Sequence, residues 1–187
     1  MNRFIQEIKD LFENIRYAWH ERKTAYIDTG PINEQYKKYR KLYKEKMVSA
    51  SEHLKNNDSR GYDREKFLAD DYNDTANLWD REDRMAKSIN DNRYDIKGSL
   101  NSMITAYITS IGAVGGAALT MPSIYIDNSN ILSEIAFFGF IILSGLTFSA
   151  GVLNQRRLNR LVKEQMAYVK EFDETKDSIE EKRSYEL

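Results

Sequence analysis

The hydrophobic positions of the first hundred residues recur with the period of an α-helix. The earliest set is separated by four, three, four and four residues and shares one helix face: Phe4, Ile8, Leu11, Ile15 and Trp19. Similar faces predict a second helix over about 33–54 and a third that begins near residue 63 and continues toward the centre of the chain. Gly30-Pro31 and the polar segment 56–61 separate these helices.

The pattern changes abruptly at residue 99. Residues 99–153 carry only two charged side chains, Asp127 and Glu134, whereas the segments on both sides are dense in Lys, Arg, Asp and Glu. A helix needs about 20 apolar residues to cross a bilayer core of about 30 Å. The stretches of about 100–121 and 133–153 both have this length.

The connection between the two apolar stretches, residues 122–132, is too short for anything but an antiparallel return. We therefore predict a transmembrane hairpin with a short turn. The alternative is a soluble protein that buries a hydrophobic pair of central helices, but uncharged runs of this length usually span a membrane.

The predicted fold is an all-α integral membrane protein with three parts. Residues 1–98 form a cytoplasmic domain of about three helices, residues 99–153 form the transmembrane hairpin, and residues 154–187 form a cytoplasmic juxtamembrane helix. This last helix has an imperfect heptad, interrupted by Gln165 and Lys176. It fits either packing on the N-terminal helices or a coiled coil between subunits.

The basic residues beside the hairpin predict its orientation. Lys97 precedes the first span, and Arg156, Arg157 and Arg160 follow the second, whereas the connecting turn has no Lys or Arg. Lys and Arg are enriched on the cytoplasmic side of membrane proteins. We therefore expect both termini in the cytoplasm and the turn outside.

The first span is unusually rich in small and polar residues, and these gather on one side of the helix. That side carries Asn101, Thr105, Thr109, Gly112, Gly116 and Thr120, and we name the first five, the candidate pore-lining or packing residues, the polar stripe. The opposite side, whose large residues we expect to face lipid, carries Leu100, Ile104, Tyr107, Ile111, Val114 and Ala118.

Two interpretations of the polar stripe stay open. Its glycines can let the second span of the same chain approach closely, with threonine hydroxyls bonding across the contact. Alternatively, several subunits can bring the stripe to a shared axis, where polar residues line a cavity. The two can coexist, with glycines that pack and hydroxyls that face inward.

The composition offers little for catalysis. The chain has no cysteine, and its net charge of −1 argues against binding to nucleic acid. The segment GAVGGA lacks the spacing of a dinucleotide-binding motif and the Lys-Ser/Thr end of a phosphate-binding loop. His20 and His53 stand alone on predicted helices. We therefore predict no catalytic, cofactor-binding or metal-binding residues, and no enzyme.

Over about residues 95–187 the chain resembles the SLATT-type membrane effectors of bacterial conflict systems. The features in common are a hairpin of two spans, a short outside turn (MPSIYIDNSN) and a juxtamembrane helix that begins NQRRLNRLVKE. The long N-terminal helices are a departure. The resemblance implies an inner-membrane protein of bacteria that forms pores or disrupts membranes in anti-phage defence, triggered by a partner that senses nucleotides or infection.

Two functions are consistent with these features. The first is a non-enzymatic effector that forms a homo-oligomer through its hairpin and permeabilises the membrane lipid. The second is a membrane-anchored helical scaffold, whose residues 1–97 recruit a cytoplasmic protein partner while the hairpin only anchors.

Overall fold

The computed structural model describes residues 2–126 and 131–185, and within these ranges the protein consists of four helices and short connections. The helices are α1 (Asn2–Lys23), α2 (Gly30–Lys55), α3 (Ser59–Ile126) and α4 (Ile131–Tyr185). The prediction of an all-helical fold is confirmed for this part of the chain. By length and composition, α3 and α4 are each able to cross a membrane.

The helix boundaries follow local chemistry. Helix α2 begins at Gly30 with Pro31 in its first turn, where proline removes no hydrogen bond. Helix α3 begins at Ser59, earlier than expected, after a tight turn in which Asn57 has a φ of 57°. It continues as helix to Ile126, so the helical backbone enters the predicted turn 122–132, of which residues 127–130 lie outside the described part.

The chain divides into two compact units. The first comprises Met1–Thr24 and Asn92–Glu164, and the second comprises Ala25–Asp91 and Gln165–Leu187. Helices α3 and α4 contribute to both units, since each unit holds only part of them. The sequence divided the chain at residues 98 and 154 instead, because it followed where charge disappears rather than where side chains pack.

Buried positions recur every seven residues along α3. They are Thr75, Glu82, Ile89, Ile96, Met103, Ser110 and Ala117. A strict repeat of seven keeps one seam of a helix against a supercoiled partner, because 3.5 residues then complete each turn. Helix α4 has the matching set, with Gly151, Leu158, Gln165 and Ile179 all buried. The tail heptad therefore packs within this chain.

The first unit has a core made by three helices. Ile96 and Leu100 of α3 and Leu158 of α4 are fully buried in it, and Ala18 brings α1 into contact with them. Trp19, expected on the apolar face of α1, is 45% exposed, because the contact is centred on the small Ala18, next to it in the chain. The side chains of Phe4 and Ile8 lie outside the described residues.

A buried ion pair also fastens α1 to α3 in the first unit. Arg93 Nε donates to Glu21 Oε2 at 2.7 Å, and both side chains are largely shielded from water. Burial raises the pKa of the nearby Tyr17 hydroxyl, and the Glu21 charge adds to the shift. Removing one member of such a pair leaves an uncompensated buried charge, so this contact specifies how α1 docks.

The second unit has its own core, built on aromatic and small residues. Tyr39 of α2, Trp79 and Ala86 of α3 and Ile179 of α4 are buried together. Asn90 ties down the segment before α2, since its amide accepts from the Ile27 backbone N–H and donates to the Ile27 carbonyl, both at 2.9 Å.

Glu82 is a polar residue in the buried seam of α3, and it makes stability depend on pH. Burial raises the pKa of its carboxyl above the usual 4.5, although the charges of Lys176 and Arg183 oppose this. Its Oε2 atom is buried without a hydrogen-bond partner among the described residues. The stability that protonated Glu82 contributes is present below pH 4.5 and is lost as the pH rises through the raised pKa.

We expect Glu82→Gln to stabilise the protein at pH 7 by about 1 kcal/mol, since the cost of an ionised buried acceptor disappears. The gain should shrink toward pH 4. Thermal unfolding of the detergent-solubilised wild type and variant between pH 4 and pH 7 measures this difference in stability. The exposed Glu180→Gln is the matched control. Equal gains in stability at pH 4 and pH 7 would contradict the conclusion that ionisation of buried Glu82 is costly.

Candidate functional site: the apolar hairpin and its polar stripe

The outer surface of the hairpin is apolar and open. Leu119 is 81% exposed, Leu132 77% and Ile111 72%, values typical of charged residues on soluble proteins. Helix α4 continues this surface with a run of large side chains that are all exposed: Ile135, Phe138, Ile141, Ile142, Leu143, Leu146, Phe148 and Leu153. A continuous apolar patch of this extent marks a surface that contacts something other than water.

The two hairpin helices meet through small residues. Ser110, Ala113 and Ala117 of α3 are buried, and we name this side of α3 the packing face. Ser110 Oγ lies 3.1 Å from both the carbonyl oxygen and the hydroxyl of Ser144 on α4. Near the base of the hairpin, Ser99 Oγ donates to the Asn154 carbonyl at 3.1 Å. Small side chains let the backbones approach, and hydroxyls bond across the gap.

Most of the polar stripe lies outside this packing face. Asn101, Thr105, Thr109 and Gly112 are exposed, and a Cβ atom built on Gly112 would meet nothing within 4 Å. Gly116 differs, because a Cβ there would lie 2.9 Å from the Phe140 ring of α4. The two glycines predicted to act as one motif therefore have different surroundings: Gly116 packs inside the chain and Gly112 faces outward.

The polar side chains of the stripe make no hydrogen bond to any described residue. This holds for Asn101, Thr105 and Thr109. Other hydroxyls in these long helices bond back to their own helix, as Thr147 does to the Leu143 carbonyl at 2.8 Å. Ser149 does the same with the Gly145 carbonyl at 2.9 Å. The stripe thus presents unused polar groups on an otherwise apolar hairpin.

The large residues on the side of the first span opposite the polar stripe differ in how far they are buried. Leu100 is fully buried in the core of the first unit, and Tyr107 is half-buried against α4, where its hydroxyl donates to Gln155 at 2.7 Å. Ile111 and Val114, farther along, are exposed at 72% and 57%. The expectation that all these residues face lipid is therefore wrong for Leu100, because α1 and α4 cover the base of the hairpin.

The predicted basic residues lie next to the two ends of the apolar segment, Lys97 on α3 and the arginines on α4. Lys97 and Arg156 are exposed, while Arg160 lies 3.9 Å from Glu164 one turn away. Arg157 lies 3.8 Å from Asp95. Arg157, Lys97 and Asn101 line one concave surface of about 390 Å³ between α3 and α4, so the structure brings together residues that the sequence placed in separate groups.

Sequence reasoning missed the packing face itself. Ser110 and Ala117 have small side chains, so the pattern of large apolar residues does not reveal that they are buried. A signal was present, since these two positions continue the seven-residue spacing of Ile89, Ile96 and Met103 into the apolar segment. Following that repeat through the span would have identified the buried side.

Comparisons of the chain with protein-family models, with curated proteins and with solved structures gave no match.

Proposed function

We propose that this protein is a non-enzymatic integral membrane effector, which assembles through its hairpin and permeabilises the bacterial inner membrane. The observation that carries the proposal is the exposed apolar surface of residues 108–121 and 131–153. In water, that surface would cost about 25 cal/mol for each Å² left unburied. Only 6% of the most apolar stretch of α4 is buried inside the chain, unlike the core helix of a soluble protein.

Assembly is supported by the unused groups of the polar stripe. Polar groups at membrane depth are costly unless they are paired or line a water-filled cavity. Asn101, Thr105 and Thr109 lie on one side of α3 and have no partner among the described residues. Neighbouring copies of the chain can provide that partner or enclose a polar pore. Use in anti-phage defence, with a nucleotide-sensing partner, rests on the SLATT resemblance.

Membrane integration is tested by extraction. The expressed protein should remain in the membrane pellet at alkaline pH and dissolve only with detergent. Recovery of a folded, monodisperse protein from the aqueous fraction would refute integration and the proposed function with it.

Permeabilisation should depend on the stripe hydroxyls. Combining Thr105→Val with Thr109→Val would remove the two hydrogen bonds proposed between subunits, at roughly 0.6 kcal/mol each, which predicts about eightfold weaker assembly and less leakage. Growth arrest and entry of an impermeant dye after overexpression are the readouts. Thr147→Val is the control, because that hydroxyl bonds within its own helix. Unchanged toxicity in the double variant would count against an effector.

The competing function is a membrane-anchored scaffold. It is favoured by a concave basic surface on α2, in the second unit, lined by Tyr36, Lys37, Arg40, Lys41 and Lys44. Such a surface suits an acidic segment of a cytoplasmic protein. Replacing the hairpin with an unrelated one separates the functions, since a scaffold would keep its activity and an effector would lose it.

A further inference from the structure

The concave surface at the base of the hairpin has the chemistry of an anion site. We name it the juxtamembrane pocket; it lies within the first unit and is lined mainly by Lys97, Arg157, Ser102, Asn101, Asn154 and Asp95. These side chains supply an ammonium, a guanidinium, a hydroxyl and two amides. This donor set binds phosphate oxygens, with arginine able to bind two of them together.

Most donors of the pocket are available, although the Asn154 amide already donates one N–H to the Ala150 carbonyl at 3.0 Å. Lys97, Asn101 and Ser102 form no ion pair or hydrogen bond with the rest of the described chain. Arg157 lies 3.8 Å from Asp95, a distance too long for a hydrogen bond, so its guanidinium can still donate to a ligand. The Asp95 carboxylate offsets one of the two cations. The lining therefore has a net charge of about +1, which matches a singly charged phosphodiester better than free phosphate.

The position of the pocket favours a lipid. Lys97 is the last charged residue before the apolar segment, and Arg156 is the first basic residue after it. Basic pockets between membrane helices on the cytoplasmic side bind phospholipid headgroups. The exposed apolar residues of the hairpin begin with Leu153 on α4, about one turn from Arg157, and with Ile108 on α3, about three turns from Lys97. Acyl chains could follow that surface while the headgroup occupies the pocket.

Gly98 is part of the lining of the pocket. A Cβ atom at this position would meet nothing within 4 Å, so no packing inside the chain requires glycine here. Glycine in a helix interior nevertheless costs about 0.8–1 kcal/mol relative to alanine. A larger side chain at this position would extend into the pocket without disturbing the fold.

The geometry points to a headgroup site in which the juxtamembrane pocket binds the phosphodiester of one anionic phospholipid, with Lys97 and Arg157 as its charged contacts. The inference rests on the proposed membrane insertion, and it adds a specific lipid ligand to the effector.

Titration of the full-length protein in neutral detergent with phosphatidylglycerol, followed by native mass spectrometry, tests the site. Lys97→Gln and Arg157→Gln should each weaken the tightest binding event about fivefold, the value for roughly 1 kcal/mol per basic contact. Gly98→Leu should abolish that event without changing the charge. Arg156→Gln and Lys163→Gln are matched controls, since both residues are exposed and outside the pocket lining.

Several results would overturn the site. Equal weakening by Arg156→Gln and Arg157→Gln would indicate general attraction by a basic surface, and full binding by Gly98→Leu would exclude the pocket. A second experiment compares inorganic phosphate with phosphatidylglycerol as stabilising ligands. If both raise the unfolding temperature of the wild type equally, and Gly98→Leu removes both increases, the pocket binds a free anion and not a lipid. Failure of these tests in a protein that stays in the membrane pellet at alkaline pH leaves the proposed function standing, whereas recovery of the folded protein from the aqueous fraction removes both.

Discussion

Replacing Gly112 with leucine is expected to abolish assembly while leaving the single chain folded. Gly112 faces outward on the polar stripe with nothing within 4 Å of a Cβ, so the new side chain meets no atom of its own chain. In the helix interior the change even gains about 0.8–1 kcal/mol of propensity. Between copies, the same side chain would separate backbones that need glycine to approach, at a cost of roughly 1–3 kcal/mol for each contact.

Native mass analysis and thermal unfolding in detergent together measure this outcome. The expected result is a smaller particle with an unchanged or higher unfolding midpoint. Ala118→Leu is the matched control, because it enlarges a small exposed residue on the opposite side of the same helix. An oligomer of unaltered size in the Gly112 variant would show that assembly does not use the stripe.

Replacing Gly151 with leucine is expected to have the opposite effect and to destabilise the hairpin itself. Gly151 is buried, and a Cβ there would lie 2.8 Å from the Tyr107 ring. That ring cannot turn away cheaply. Its hydroxyl donates to Gln155 at 2.7 Å, and its edge packs on Phe148 with ring centres 5.9 Å apart.

The expected loss of unfolding free energy is about 2 kcal/mol, since an overpacking cost near 3 kcal/mol exceeds the gain in helix propensity. Unfolding of the detergent-solubilised protein measures it. Gly145→Leu, on the same helix but in open space, should be tolerated. In a Tyr107→Ala background, Gly151→Leu should cost much less stability, because the obstructing ring is gone. A stability loss that persists unchanged with Tyr107→Ala would refute the steric explanation.

The helices were predictable because their signals are local. The periodic apolar face of α1, the Gly30-Pro31 break and the loss of charge at residue 99 each act over a few turns of chain. The helix ends were predicted less accurately. Helix α3 begins at Ser59 rather than near residue 63, because the turn at Asn57 is compact.

The assignment of faces within the first span was the harder problem. Sequence periodicity separated small polar residues from large ones, and Gly112 and Gly116 were paired by their spacing. In the structure, Ser110 and Ala117 pack against α4, while Gly112 does not. Small residues occupy both sides of this helix, so composition alone cannot tell which side meets the second helix.

The sequence by itself determined that the chain is helical and that two of its stretches are long and apolar enough to cross a membrane. Both properties belong to individual residues and their near neighbours, and they do not depend on a partner surface. The seven-residue spacing only indicated which side of α3 is buried, and the tertiary structure decided it, because the register with α4 buries Met103, Ser110 and Ala117. That register left the hydroxyls of the polar stripe without partners and brought Lys97 and Arg157 to one pocket, and no local pattern encodes either result.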